Sequence, residues 1–240
     1  MNLRRLCASG LPIAVLVTIC VLALAGCGGS SGAAEKPETA RPAAQILRDV
    51  HSAVAAATSV HLSGHVTSTT AVMLDLHLDR TGGSGAVASK GISFRVTRIG
   101  NAAYFTGTQA FYRHFTNAAG IALLNGKWLK VPFTDSRFAA FSRLTDMTGL
   151  LGQVLQPTGT VMKAGTRTLD GVRVIALRDT TNRGTLYVAA KGAPYPVEVV
   201  TGGAHPAVVR FDHWNQRITL RAPSQLVHLW QLQKLATASS

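Results

Sequence analysis

The chain has 240 residues, 47% hydrophobic and 15% charged, with 24 Lys+Arg against 11 Asp+Glu and a formal net charge of +13. A single domain with a substantial buried core is the ordinary outcome at this length. All three cysteines, Cys7, Cys20 and Cys27, lie near the N-terminus, so the remaining chain forms no disulfide and must rely on a conventional core.

Arg4 and Arg5 precede an apolar stretch from Leu11 to Ala25. At about 15 residues it is shorter than the roughly 20 that cross a bilayer, and it has the length and flanks of a secretory signal peptide. The stretch ends in Leu24, Ala25, Gly26 and Cys27, which resembles the lipobox of bacterial lipoproteins at all four positions. The resemblance implies that residues 1–26 are a lipoprotein-type signal peptide. It also implies that diacylglycerol alkylates the Cys27 thiol, that the chain is cut just before it, and that palmitate-class acyl chains anchor the product. Two or three such chains hold firmly where one is marginal, because each buried CH₂ contributes roughly 0.8 kcal/mol. The expected location is the extracytoplasmic face of the cell membrane. Losing Arg4 and Arg5 leaves 22 basic residues against 11 acidic ones, a net charge of +11. Export argues against a nucleic-acid partner, as does the scatter of the basic residues, which form no single stripe. Attraction to anionic phospholipid heads and a merely solvated basic face both remain open.

Residues 27–42 form the lipidated N-terminus and a small, polar, Pro-containing tether, and the folded domain is expected over 43–240. "GGSSG" in this tether satisfies the nucleophile-elbow spacing, but that motif needs a preceding strand and a following helix, so it is rejected. From Pro42, Ile46, Leu47, Val50, Val54 and Ala57 recur at helical steps, with Arg48, Asp49 and Ser52 facing away. The period then becomes two. Val72, Leu74, Leu76 and Leu78 share one face of a strand, Met73, Asp75, His77 and Asp79 the other, with "VHLSGHVT" as the hairpin partner. A turn is expected at "TGGSG" (81–85). "AVASK" and "ISFRVTRIG" follow, the latter alternating Ile92, Phe94 and Val96 with polar residues, and "NAAYFTG" pairs back after a turn at Gly100 and Asn101. Residues 116–125 read as a short helix before "KWLKVP". From Ser136 to Leu155 a helical apolar pattern, weakened by Gly149 and Gly152, predicts two short helices or one loose one. Strands resume with "TVMKAGTRTLDG", "VRVIALRD", "GTLYVAA", "PVEVVTG", "AVVRFDHW" and "RITLRAP", and 224–236 reads as a short helix.

These elements predict an α+β fold: one large antiparallel sheet whose dry face needs a cover. A strongly curved sheet wrapped around the helices meets that need, with 136–155 as plug or lid. An ordinary filled core meets it too.

Five stretches, in order, resemble the LppX/LprG/LprA family of actinobacterial lipoproteins, related in fold to the LolA and LolB carriers. They are "AAQILRDVHSAVAAATSVHLSGHV", "NGKWLKVP", "AGTRTLDGVRVIAL", "YVAAKGAPYPVEVV" and "VVRFDHWNQRITLRAP". The resemblance implies a half-open antiparallel barrel of about 10–11 strands with helices on its concave face and an apolar cavity. That fold binds and carries multi-acyl lipids or glycolipids, as a monomer, with a membrane transporter as a possible partner. The family has no short motif marking ligand residues. The cavity lining expected here is therefore drawn from the dry faces: Val72, Leu74, Leu76, Phe94, Val96, Phe138, Phe141, Met147, Leu150 and Leu151. The alternative is a cell-envelope sensor or scaffold whose filled core binds no lipid and whose surface engages a protein partner.

No catalytic residue, cofactor or metal site is expected, and the protein is not expected to be an enzyme. His61 and His65 would lie about 13 Å apart along a strand, as would the carboxylates Asp75 and Asp79. His77, His205 and His213 are expected to have no partners nearby, and no Cys ligand remains. Glu198, mid-strand among valines, reads as one half of a structural pair with an arginine.

Overall fold

The computed structural model describes residues 38–67 and 70–238. The lipobox residues Leu24, Ala25 and Gly26, the acylation candidate Cys27 and the "GGSSG" stretch lie outside them. Among the described residues no helix is long and apolar enough to cross a membrane.

The amphipathic stretch after Pro42 forms α1 (Ala43–Ala56), which buries Ile46 and Val50. Asp49 secures its start by accepting from Arg41 at 2.6 Å and Gln45 at 2.8 Å. Five strands follow: β1 (Ser59–Thr67), β2 (Ala71–Asp79), β3 (Gly82–Ser89), β4 (Ile92–Ile99) and β5 (Ala102–Gly107). Two short helices, α2 (Gln109–Tyr112) and α3 (Ala118–Leu124), lead to β6 (Trp128–Pro132). The stretch 136–155 forms two short helices, one of the two outcomes expected, although Gly149 and Gly152 lie within the second helix and not at the break. It contains α4 (Ala139–Ser142) and α5 (Met147–Val154), with 3-10 turns at Ser136–Phe138 and Arg143–Thr145. The second half supplies β7 (Val161–Leu169), β8 (Val172–Asp179), β9 (Thr185–Ala189), β10 (Pro196–Thr201) and β11 (Ala207–Asp212). It closes with β12 (Leu226–His228) and α6 (Leu229–Ala238).

All twelve strands join one curved, unclosed sheet in the order β12-β6-β5-β4-β3-β2-β1-β11-β10-β9-β8-β7. Every pairing is antiparallel except β12 with β6. Register aligns the dry faces into rows. One row runs Phe211, Leu62, Leu76, Gly85, Val96, Phe105, Leu129 and Val227 across eight strands. A second runs Leu177, Leu186, Val199, Val209, Gly64, Leu74, Val87 and Phe94. The helices pack on this inner face: Ile46 and Val50 of α1 and Met147 and Leu151 of α5 share a cluster with Leu62, Leu76, Leu177 and Val209.

Three expectations are corrected. "TGGSG" is strand, not turn: β3 begins at Gly82, and its glycines serve close approach. A Cβ at Gly85 would stand 2.3 Å from the Asp75 carbonyl oxygen and 2.6 Å from Leu76 Cδ2. "RITLRAP" is not strand either. His213 and Asn215 adopt left-handed φ of 50° and 60° and turn the chain off β11, whose two sides are already taken by β1 and β10. The segment crosses the outer face instead, and Gln225 accepts from the Trp128 amide at 2.8 Å. The tail then adds a strand before its helix, β12 capping the β6 edge in parallel.

Candidate ligand-binding site

The inner face presents two apolar clusters, and the broken 136–155 segment reaches into both. Toward β8 and β9, Met147 and Leu151 are buried against the α1 and β1 side chains, with Leu150 and Val154 half-buried beside them. Toward β4 and β5, Phe138 is buried and Phe141 partly so in an aromatic cluster. Phe94 stacks on Phe111 with ring centroids 4.7 Å apart, Phe105 on Phe138 at 5.4 Å, and Phe115 on Phe138 at 4.5 Å, while Phe141 meets Phe94 edge-on at 5.1 Å. Edge-to-face and offset contacts of this kind add roughly 0.5–1.5 kcal/mol per pair beyond area burial. The plug is thus held by dispersion and burial rather than by polar ties. Its polar anchors are local: Asp146 caps α5 by accepting from the Gly149 amide at 3.2 Å.

A pocket of about 70 Å³ remains at the end of the plug, lined by Leu47, Val154, Val161, Leu177, Leu186 and Val199 among others. Asp179 organises its polar rim. One carboxylate oxygen accepts from the Thr158 amide (2.6 Å), the Thr158 hydroxyl (3.0 Å) and the Gly159 amide (3.2 Å), the other from the Thr181 amide (2.8 Å). These donors, the Thr181 amide foremost, lower the carboxyl pKa from 3.8 to about 2. The loop following α5 is thereby tied to the turn after β8.

Of the expected lining residues, Leu76, Phe94, Val96, Phe138, Met147 and Leu151 are buried, and Val72, Leu74, Phe141 and Leu150 are half-buried. All but Val72 belong to or pack against the two clusters, where they touch the protein's own side chains. None of the ten lines the 70 Å³ pocket. Pockets that hold drug-sized ligands measure roughly 300–1,000 Å³, so this one is too small for such a ligand as it stands.

Two of the family-like stretches, those holding Tyr195 and Trp214, pack against each other. Tyr195 stacks on Trp214 at 4.6 Å, Trp214 Nε1 donates to the Pro196 carbonyl at 3.1 Å, and Asn215 donates to the Tyr195 hydroxyl at 2.8 Å. Glu198 is buried, accepting from Arg210 at 3.1 Å with Arg167 at 3.7 Å, the structural pair expected of it.

The outer face corrects the reading of the histidines. His77 and His213, expected to have no partners nearby, both gather at His61. Register sets His61 directly between His77 and Asp212. His61 Nδ1 lies 2.6 Å from Asp212, its Nε2 lies 3.3 Å from Asp75, and His213 Nδ1 lies 2.5 Å from Asp212. The His61 and His77 rings stack 4.2 Å apart. Burial, and then the charge of His61, lower the His77 pKa below its ordinary value. Both strands of the hairpin were legible; the missing signals were its register, which sets His61 opposite His77, and the β1–β11 pairing, which brings Asp212 and His213.

No family model and no curated protein matches the chain. Among solved structures it is similar to LprF from Mycobacterium bovis, at 15% identity and a TM-score of 0.52, over 76% of this chain and 97% of that one. It aligns more loosely with an uncharacterized conserved protein from Thermus thermophilus, at 14% identity and a TM-score of 0.38, over 78% and 98% of the two chains. The alignment with the MucA/MucB complex of Pseudomonas aeruginosa has 11% identity and a TM-score of 0.33, over 80% and 60%. The chain therefore has the LprF fold, the LppX/LprG type of half-open barrel that its motifs resemble.

Proposed function

We propose that this protein is a membrane-anchored, extracytoplasmic lipoprotein that takes up acyl chains of lipids or glycolipids between its inner sheet face and the 136–155 plug. The observation that carries this reading is the plug itself. It is a chain of short helical pieces packed on an apolar, unclosed half-barrel through buried apolar side chains, ending at an apolar pocket of about 70 Å³. Acyl chains offer Phe138, Phe141, Met147, Leu150 and Leu151 the same apolar surroundings when the plug swings out. Exchanging one apolar contact for another has little net cost, whereas removing the lipid's tails from water contributes roughly 25 cal/mol per Å². In this reading Val72, Leu74, Leu76, Phe94 and Val96 line the opened site, Cys27 carries the anchor, residues 27–42 tether the domain, and a membrane transporter loads or unloads it.

The packed aromatic cluster favours a second reading, an envelope sensor or scaffold that holds no lipid and engages a protein. Native mass spectrometry of the chain purified from bacterial membranes separates the two. Masses of lipid size that are released on denaturation support lipid binding, and repeated recovery of bare protein supports the scaffold. Val199→Phe, which fills the pocket, is expected to lower loading severalfold with the melting transition retained. Undiminished loading would place the acyl chain elsewhere. Cys27→Ala is expected to abolish acylation, seen as loss of labelled-palmitate incorporation; unchanged labelling would refute the anchor.

A further inference from the structure

The outer-face histidine cluster lies apart from the lipid reading and calls for its own account. Strand alternation turns His61, Asp75, His77 and Asp212 away from the core, and antiparallel register brings them together although Asp212 is 151 residues from His61. His61 is anchored, its side chain only 14% exposed, while His77 at 49% and Asp75 at 62% face solvent. One atom from each of His61, Asp75 and His77 lies within 4.8 Å of the other two, and the same holds for His61, Asp212 and His213.

We infer that His61 Nε2, His77 Nε2 and an Asp75 carboxylate oxygen bind a divalent transition-metal ion of the zinc class, with Asp212 orienting His61. The distances choose between the two sets. Ligand bonds of about 2.0–2.2 Å in tetrahedral geometry place neighbouring donor atoms about 3.3–3.6 Å apart. His61 Nε2 to Asp75 is 3.3 Å and His77 Nε2 to Asp75 is 3.6 Å. In the other set, His61 to Asp212 is 2.6 Å and His213 to Asp212 is 2.5 Å. Those are hydrogen-bond lengths, too short for two ligands of one ion. They fit a supporting role: a ligating histidine ordinarily donates its other ring N–H to a carboxylate, which fixes the tautomer and raises ligand basicity. Asp212 stands at His61 Nδ1 in that position and is itself held by His213.

Two imidazoles and one carboxylate suit zinc, cobalt, nickel or copper rather than calcium or magnesium, which take oxygen donors. The two rings are nearly parallel, 14° apart. His77, on the solvent side, must swing so that its lone pair converges with that of His61. Three protein ligands leave a coordination position for water or an incoming group, so the ion is exchangeable.

The test uses the tag-free full chain, EDTA-stripped and with its cysteines alkylated so that thiolates contribute nothing, titrated with Co²⁺. A visible absorption band of four- or five-coordinate cobalt, saturating at one equivalent and bleached by Zn²⁺, is expected. His77→Ala, half-exposed and the variant most able to retain the fold, is expected to weaken binding at least 100-fold. Asp212→Asn is expected to weaken it about 10- to 100-fold with the band shape unchanged, and His65→Ala to leave it unaltered. A melting transition recorded for each variant separates loss of ligand from loss of fold. Absence of the band, or its persistence in His77→Ala, overturns the inference. Loss in His213→Ala with retention in His77→Ala would assign the ion to the other set.

Discussion

Asp179 shows how one carboxylate can hold two loops. Four hydrogen bonds from Thr158, Gly159 and Thr181 converge on it at 2.6–3.2 Å, and amide donors stabilise the ionised form, which is why its pKa falls to about 2. A folded-state pKa below the unfolded value of 3.8 means that this stabilisation is fully present above that value. It is lost as pH falls through about 2. Asp179→Asn is therefore expected to lower the melting temperature near neutrality, with the gap from wild type closing in acid as the wild-type carboxylate protonates. A gap that stays constant down to about pH 2 would show that the charge plays no part. Glu198 reads from sequence as an anomaly with a structural answer, because a carboxylate among valines needs a cation to offset its desolvation. Arg210 and Arg167 supply it.

At the scale of elements, β3 is the clearest case of tertiary context overriding local composition. Gly82, Gly83 and Gly85 within four residues read as a turn, since glycine is ordinarily costly in a strand by roughly 0.5–1 kcal/mol. Here β3 lies between β2 and β4, and Gly85 faces Leu76, whose Cδ2 would lie 2.6 Å from an added Cβ. Gly85→Ala is thus expected to destabilise the fold by about 1–3 kcal/mol through overpacking, the opposite sign from an ordinary strand glycine. Denaturant unfolding checks it: a midpoint shifted down at unchanged slope supports the clash, and one shifted up refutes it. The 136–155 plug is the converse case. Its two short helices were legible, but the glycines that weaken the pattern do not mark the break. Gly149 and Gly152 lie inside α5, and the chain breaks before it, where Asp146 caps the helix. Its docking against Phe94, Phe105 and Leu76 was not legible, because contact between distant segments leaves no periodic trace in either.

For the whole molecule, the unclosed sheet leaves two edges to manage, and a bare strand edge is a template for association. The C-terminal tail covers one: β12 pairs with β6 through Leu226, Val227 and His228, and α6 buries Leu232 in the aromatic cluster. Ending the chain after Pro223 is expected to expose β6 and produce edge-to-edge dimers or aggregates, measured by light scattering coupled to size exclusion. A monomer with an unchanged melting transition would show that the tail protects nothing. The sequence by itself determined the dry faces of β2 and β4, the change from α1 to strands, and two short helices within 136–155, because periods of 2 and 3.6 are written in neighbouring residues. Only the tertiary structure decided that β11 sits beside β1, that three histidines and two aspartates meet on the outer face, and that aromatic side chains occupy the inner one. Register and packing join residues as far apart as His61 and Asp212, and no local pattern records which distant strand supplies the partner.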